Sequence, residues 1–207
     1  AHARIDLAFS GSHHRIELER LTGKQIMVYG QHEVVKDLIA QRLSDGGELL
    51  FEADVQGIEG LDGGGLRGGG PTVFYRHDGQ DHRLACDFVA GCDGYQGVSR
   101  ASVPACAIAT HERSYPYAWL GVLAQAAPTS DELVYARHAN GFALYSMRSP
   151  EVTRLYIQCR PDEDPDAWSD RALWDELHRR LETGDGWTIN EGPILQKNVA
   201  PMRSFVA

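Results

Sequence analysis

A mixed α/β (α+β) fold in two parts is predicted by three features of the sequence. Two segments, at about 32–43 and 169–181, carry apolar residues at helical spacing. Several short runs alternate apolar with polar residues and are separated by glycine-bearing turns. From Tyr115 onward such runs follow one another almost without helix. A boundary near 107–110 therefore separates a mixed α/β part, residues 1–107, from a mainly antiparallel part, residues 108–207.

In chain order, residues 4–9 and 14–18 alternate on either side of Ser10-Gly11-Ser12-His13, which predicts a β-hairpin. A strand is expected at 25–29. The helix at 32–43 follows, with Val34, Val35, Leu38, Ile39 and Leu43 at helical spacing and Asp45-Gly46-Gly47 as its stop. Residues 49–51 and 55–58 suggest a return strand. The glycine-rich stretch 61–71 lacks the Gly-Lys-Ser/Thr ending of a phosphate loop and no helix pattern follows it, so it reads as a flexible surface loop. Residues 72–76 and 82–87 bracket Asp78-Gly79 as a second hairpin. Residues 88–92 look like an apolar strand running into Asp93-Gly94. Strands are expected at 118–124, 132–137, 141–147 and 154–159. The last helix, 169–181, places Leu173, Trp174, Leu177 and Leu181 on one face and stops before Gly184-Asp185-Gly186. Trp168, Trp174 and Trp187 read as packing residues.

Composition narrows the function. The 207 residues include 43% hydrophobic and 24% charged side chains, the balance of a globular protein with a packed core. Twenty Lys and Arg against 29 Asp and Glu give a formal net charge of −9, which argues against a nucleic-acid partner while leaving room for a local cationic pocket. Cys86, Cys92, Cys106 and Cys159 form no Cys-x-x-Cys pair, so no metal site is expected and free buried thiols are. His13 and His14 are adjacent and point to opposite faces of a strand, so they do not chelate together. With no apolar run long enough to span a bilayer and no leader, a cytoplasmic protein without a membrane partner is expected. The chain starts without Met and stops within an apolar stretch, which suggests an internal fragment.

Two constellations carry chemistry. Ser146 and Arg148 are two apart on a strand and leave the same face. Closing the 149–153 loop symmetrically sets Tyr156 opposite Ser146 and Arg154 opposite Arg148. A hydroxyl, a guanidinium and a phenol together suit a carboxylate, which the arginine fork grips at both oxygens. Tyr135, one strand earlier, reaches the far end of a bound ring. A strand arginine is usually solvated or in a weak surface pair, and spacing alone favours that plainer reading over the carboxylate clamp. The second constellation is Asp93-Gly94 with Gly97 and Arg100. Glycine lets the backbone approach a ligand, Asp93 suits ribose or ribityl hydroxyls and Arg100 suits phosphate, although Asp-Gly is also a common turn. No Ser-His-Asp or paired-carboxylate arrangement emerges to support a hydrolase.

The run 88–100, Phe-Val-Ala-Gly-Cys-Asp-Gly-Tyr-Gln-Gly-Val-Ser-Arg, resembles the Asp-Gly motif of FAD-dependent aromatic hydroxylases. Residues 115–121, 132–136 and 141–149 resemble successive strands of the 4-hydroxybenzoate 3-monooxygenases among them, and 199–205 resembles the segment entering their C-terminal part. The likeness runs over nearly the whole chain in one order. It implies part of a Rossmann-like FAD-binding domain followed by an antiparallel-sheet substrate domain. It also implies Ser146, Arg148 and Tyr156 as ligands of the substrate carboxylate, and Tyr135 as the catalytic partner of the substrate phenol. Asp93, Gly94 and Gln31 would then meet the flavin, and Arg100 and Arg203 would serve the nicotinamide cofactor, NADPH or NADH. Gln96 stands where better-known members have a histidine, which leaves that choice open. The 63–70 loop is longer than usual for the family and reads as a surface insertion.

The reaction so implied is FAD-dependent hydroxylation of 4-hydroxybenzoate to 3,4-dihydroxybenzoate with NAD(P)H and O2. The family's Gly-x-Gly-x-x-Gly loop is expected before residue 1 and its second flavin-contacting Gly-Asp segment after residue 207, so the chain by itself is expected to be inactive. A homodimer is left open. The rival readings are a sibling flavin hydroxylase acting on another aromatic acid, and a non-catalytic substrate-binding module.

Overall fold

The computed structural model describes residues 2–61 and 70–206, with the side chains of 205 and 206 left aside. Residues 62–69 of the expected glycine-rich surface loop lie outside the described residues. Strands β1 (Ile5–Phe9) and β2 (Ser12–Ile16) form the first hairpin, two residues earlier on its second arm than the alternation suggests. Ser10 and Gly11 turn it with φ of 54° and 73°, the positive pair that matches the twist of the flanking strands. The short helix α1 (Leu18–Thr22) ends at Gly23, whose φ is 68°. Five residues are too few to show a helical period in the sequence.

The strand expected at 25–29 does not form. Ile26 makes only an isolated bridge to His2, and among the described residues no strand lies alongside to complete a ladder. Helix α2 (Gln31–Ser44) forms as expected, yet Val35, Leu38 and Leu43 on it stay exposed. Strands β3 (Asp54–Glu59), β4 (Thr72–His77) and β5 (Gln80–Ala85) make a three-stranded antiparallel sheet. Asp78 and Gly79, at φ 51° and 73°, turn its second hairpin as their sequence requires. Residues 49–51 stay outside β3. Residues 88–92 form no strand either, and Phe88 is 91% exposed. A strand needs a neighbour for its backbone groups, and 88–92 has none among the described residues. The short helix α3 (Val98–Ser102) follows.

The remaining strands are β6 (His111–Ala124), β7 (Leu133–His138), β8 (Gly141–Met147), β9 (Thr153–Cys159) and β10 (Ile194–Val206). Helix α4 (Asp170–Leu181) lies between β9 and β10, with Ser169 as its N-cap accepting from Ala172 N–H. The seven-stranded sheet runs β10-β6-β9-β8-β7-β1-β2; from β6 to β2 its pairs are antiparallel except where β1 pairs with β7. That parallel pairing is invisible to local alternation, because parallel partners are joined by a long crossover. It carries the first hairpin into the large sheet. By contacts the chain accordingly divides into Ala1–Val34 with Glu112–Ser204, and Val35–His111 with Phe205–Ala207. The sequence boundary near 107–110 lies close to one edge of this division, while residues 1–34 group with the second part rather than the first.

One face of the large sheet is dry. Val134, Ala136, Ala143, Tyr145, Leu155, Ile157, Leu120 and Val122 alternate onto it and pack against Leu173, Trp174, Leu177 and Leu181 of α4, the helical face expected from spacing. Trp168 and Trp187 pack at its margin, as expected. Tyr145 keeps its hydroxyl satisfied inside this core by accepting from Thr129 and Ser130 N–H and donating to Ser130 O. The four cysteines form no disulfide, but none is fully buried as expected: Cys86 and Cys159 are half-buried, and Cys92 and Cys106 lie at the surface in the turn-rich region without strands.

A buried ion pair fastens α4 to the strands. Arg180 Nε donates to Glu176 Oε1 at 2.8 Å, and its Nη1 donates to the carbonyls of Phe142 and Gln158 at 3.1 and 2.8 Å. Asn140 and Arg179 also donate to Glu176. Burial alone would push the Glu176 carboxyl up, but the bonds from Arg180 and Asn140 and the two guanidinium charges outweigh it and hold the carboxyl below the ordinary glutamate value. A depressed carboxyl contributes stability above its unfolded pKa and loses it as the pH falls through the folded one. Replacing Glu176 with Ala should therefore cost about 3–5 kcal/mol in urea unfolding at neutral pH, since it strands a buried guanidinium. In Glu176→Gln the acid-side fall in stability below the ordinary glutamate range should flatten.

Candidate functional site

The other face of the large sheet carries the candidate substrate residues. Cross-strand partners share a face, so the pairs Tyr135–Leu144, Leu144–Tyr156 and Ser146–Arg154 bring Tyr135, Ser146, Arg154 and Tyr156 out on the side away from α4. The β8–β9 register differs from the symmetric closure by two residues: Tyr156 faces Leu144, not Ser146, and Arg154 faces Ser146, not Arg148. The cause is a tight reversal in which Arg148 N–H and Ser149 N–H both donate to Val152 O, closing the ladder at Met147–Thr153. A two-residue shift preserves the side-chain face, so the grouping survives although the pairing does not.

Ser146 is buried and its hydroxyl donates to Arg154 O at 3.2 Å. The Arg154 guanidinium lies over the Tyr156 ring, 4.9 Å from its centroid, and its Nε is buried without a hydrogen-bond partner among the described residues. Gly121, opposite Tyr156, makes the room: a Cβ there would stand 2.9 Å from Asn198 Oδ1 and 3.0 Å from Arg154 Nη2. Trp119, Phe142, Leu144 and Tyr156 line an apolar hollow of about 200 Å³ on this face. A second hollow, about 450 Å³, is lined by Leu7, Phe9, Tyr135, Arg137, Phe142 and Gln158 among others. Tyr135 is half-buried there, its ring 6.1 Å from Phe142. Sequence reasoning missed Trp119, Gly121, Phe142 and Leu144 as site residues, although their alternation on β6 and β8 was the signal.

Arg148 lies just past β8 and is exposed. Its Nη2 is 3.0 Å from His32 Nδ1, beside Gly30. His32 went unnoticed because nothing in its spacing ties residue 32 to residue 148. Gln31 is the exposed first residue of α2, and Arg203 is exposed on β10.

Asp93, Gly94 and Arg100 belong to the other contact unit, where they line one hollow of about 360 Å³ with Gly91, Ser99 and apolar residues including Ile58 and Val89. Asp93 Oδ2 accepts from Ser99 N–H at 2.8 Å, and the Ser99 amide and hydroxyl hold its carboxyl below the usual aspartate value. Gly94 turns with φ of 72°. Gly97 is required by the aspartate, because a Cβ there would fall 2.0 Å from Asp93 Cγ. Arg100 donates to Tyr95 O and lies over the Tyr95 ring, 5.0 Å from its centroid.

A carboxylate acceptor and a guanidinium donor around a bare glycine turn suit hydroxyl and phosphate groups respectively. A family model described as an FAD binding domain matches residues 1–207. The chain belongs to this FAD binding domain family. Among curated relatives, the FAD binding domain chain is 43% identical over 207 residues to the p-hydroxybenzoate hydroxylase of Acinetobacter baylyi, a match covering 99% of this chain and 50% of that protein. The chain thus spans about half the length of the curated relative it matches. Among solved structures, p-nitrophenol 4-monooxygenase PnpA from Pseudomonas putida aligns with a TM-score of 0.73 at 14% identity, over 99% of this chain and 51% of that one. The flavin-dependent halogenase CmlS aligns with a TM-score of 0.69 at 12% identity, over 99% of this chain and 38% of that one. At those identities the structures share the fold. Among the described residues no helix is long and apolar enough to cross a membrane.

The cap on Ser99 is directly testable. Gly97→Ala should displace the Asp93 carboxylate, so the Ser99 amide should exchange its hydrogen faster while amides of α4 keep the parent rate.

Proposed function

We propose that the intact protein is an FAD-dependent monooxygenase converting 4-hydroxybenzoate, NADPH, a proton and O2 into 3,4-dihydroxybenzoate, NADP+ and water, with NADH as the alternative reductant. One observation carries this reading: a sheet face that presents Tyr135, Ser146 and Tyr156 around apolar hollows, with Arg148 at the strand end. The 43% identity to a p-hydroxybenzoate hydroxylase supports the specific substrate.

Arg148 binds the substrate carboxylate through its two-pronged guanidinium, and Ser146 and Tyr156 complete the grip. That anchor fixes which ring carbon is presented for reaction. Tyr135 takes the opposite end of the ring, where its hydroxyl hydrogen-bonds the substrate phenol and favours the ionised form, which makes the ring electron-rich. Trp119, Phe142 and Leu144 exclude water from the ring's edge. Asp93 and Gly94 are assigned to the ribityl and phosphate portions of FAD and Arg100 to the nicotinamide cofactor; from the other contact unit, Gln31 is assigned to the flavin and Arg203 to the nicotinamide cofactor on the family resemblance alone. Bound FAD supplies the redox chemistry, passing electrons from the nicotinamide to O2 so that one oxygen atom reaches the ring.

The deciding assay uses the intact protein purified with FAD. NADPH and NADH oxidation should rise on addition of 4-hydroxybenzoate, with stoichiometric 3,4-dihydroxybenzoate. Correctly loaded protein that responds to another aromatic acid but not to this one would replace the substrate. In the same assay Arg148→Lys should raise KM for 4-hydroxybenzoate by about tenfold or more, because a point charge loses the fork geometry.

A further inference from the structure

The guanidinium of Arg148 is held in place by a residue that the carboxylate reading does not use. Its Nη2 lies 3.0 Å from His32 Nδ1, and Nε2 of the same imidazole lies 3.1 Å from Glu33 Oε1. A guanidinium has only donors, so Nδ1 accepts. The ring proton then sits on Nε2 and is donated to the Glu33 carboxylate. One tautomer satisfies both contacts, and the acid behind the ring fixes it, as a carboxylate does behind other functional histidines.

The contact has been given room. A Cβ at residue 30 would stand 2.7 Å from Arg148 Nη2 and 2.9 Å from both Arg148 Cζ and His32 Cε1. Gly30 has no left-handed φ to explain it, so space for the guanidinium is what its missing side chain provides. The His32 side chain is 62% exposed, so it supports no core. Its polar contacts are directed at Arg148 on one nitrogen and Glu33 on the other.

We propose that His32 is a positioning residue: its Nδ1 orients the Arg148 guanidinium for an aromatic carboxylate, Glu33 sets the tautomer and Gly30 opens the space. This rests on the reading of Arg148 as the carboxylate anchor. The specificity it confers is for acids over neutral ring analogues, since only a carboxylate engages the oriented fork.

The test is calorimetric binding to the intact, FAD-loaded protein, with 4-hydroxybenzoate and its neutral amide, 4-hydroxybenzamide, as ligands. His32→Ala should weaken the acid about fivefold and leave the amide within about twofold, the size of one lost hydrogen bond. His32→Asn, whose Oδ1 stands where Nδ1 did and accepts in its place, should restore the acid affinity. In turnover, the Ala variant should raise KM for the acid and leave kcat unchanged. Equal acid affinity in parent and His32→Ala, with Arg148→Ala still weakened, overturns the positioning role alone. Equal weakening of acid and amide by His32→Ala also overturns it, since the residue then shapes the segment rather than the fork. If Arg148→Ala binds the acid as tightly as the parent, the carboxylate reading itself falls.

Discussion

A buried guanidinium decides which residues of the large sheet face which way. Phe142 and Gln158 meet at one end of the β8–β9 ladder, and Arg180 from α4 binds both of their carbonyls with a single nitrogen. Gln158 Oε1 accepts from Phe142 N–H at the same point. A slip by one residue would separate those partners and would also turn every side chain of β9 over, moving Leu155 and Ile157 out of the core and Arg154 and Tyr156 into it. The charge is tolerable because Glu176 faces it, with Asn140 and Arg179 as further donors to that carboxylate. Gly141 belongs to this arrangement, since it sits at φ 114° and a Cβ would lie 3.2 Å from Arg180 Nη1 and Gln158 Oε1.

With register fixed, the two faces take different work. The α4 side is aliphatic and dry and holds the strands rigid. The opposite side can then carry polar groups at positions set by the backbone rather than by a loop, which is how a small ring is held with little freedom. Gly121 shows how tightly the polar side is drawn: Arg154, Tyr156 and Asn198 all converge where its side chain would be. In the other contact unit, the Asp93 turn uses the same device, with Gly97 bare so that the aspartate reaches Ser99 N–H. In both places glycine marks where polar groups must come close.

Much of this was legible in the sequence wherever the signal was local. Ser10-Gly11 and Asp78-Gly79 turned hairpins because their residues accept positive φ. The α4 face followed from the spacing of Leu173, Trp174, Leu177 and Leu181. Alternation with closure of the 149–153 loop gave the common face of Ser146 and Tyr156, while Arg148 proved to lie past the end of β8. What failed was what depends on a distant partner. Residues 25–29 and 88–92 look like strands, but a ladder needs a neighbour and they lack one among the described residues. Strand β10 was hidden by Pro201, which is tolerated because β10 is an edge strand. The pairing of β1 with β7 joins segments more than a hundred residues apart, and the β8–β9 register turned on the Val152 carbonyl.

The contrast between Arg180 and Arg148 bears on how the proposed site would work. Arg180 is buried, charge-paired and bound to two carbonyls, so moving it breaks several bonds at once. Arg148 is exposed, and its contact is with a neutral imidazole nitrogen rather than a carboxylate. A carboxylate adds full charge attraction and can meet the guanidinium with two parallel bonds, which a single imidazole nitrogen cannot. An arriving carboxylate therefore gains more from Arg148 than His32 loses, and the remaining guanidinium donors let both contacts coexist. A carboxylate at that position would have left nothing for a substrate to gain, and bare solvent would have left the fork unoriented. A histidine backed by Glu33 lies between these extremes: firm enough to orient the cation, weak enough not to compete for it.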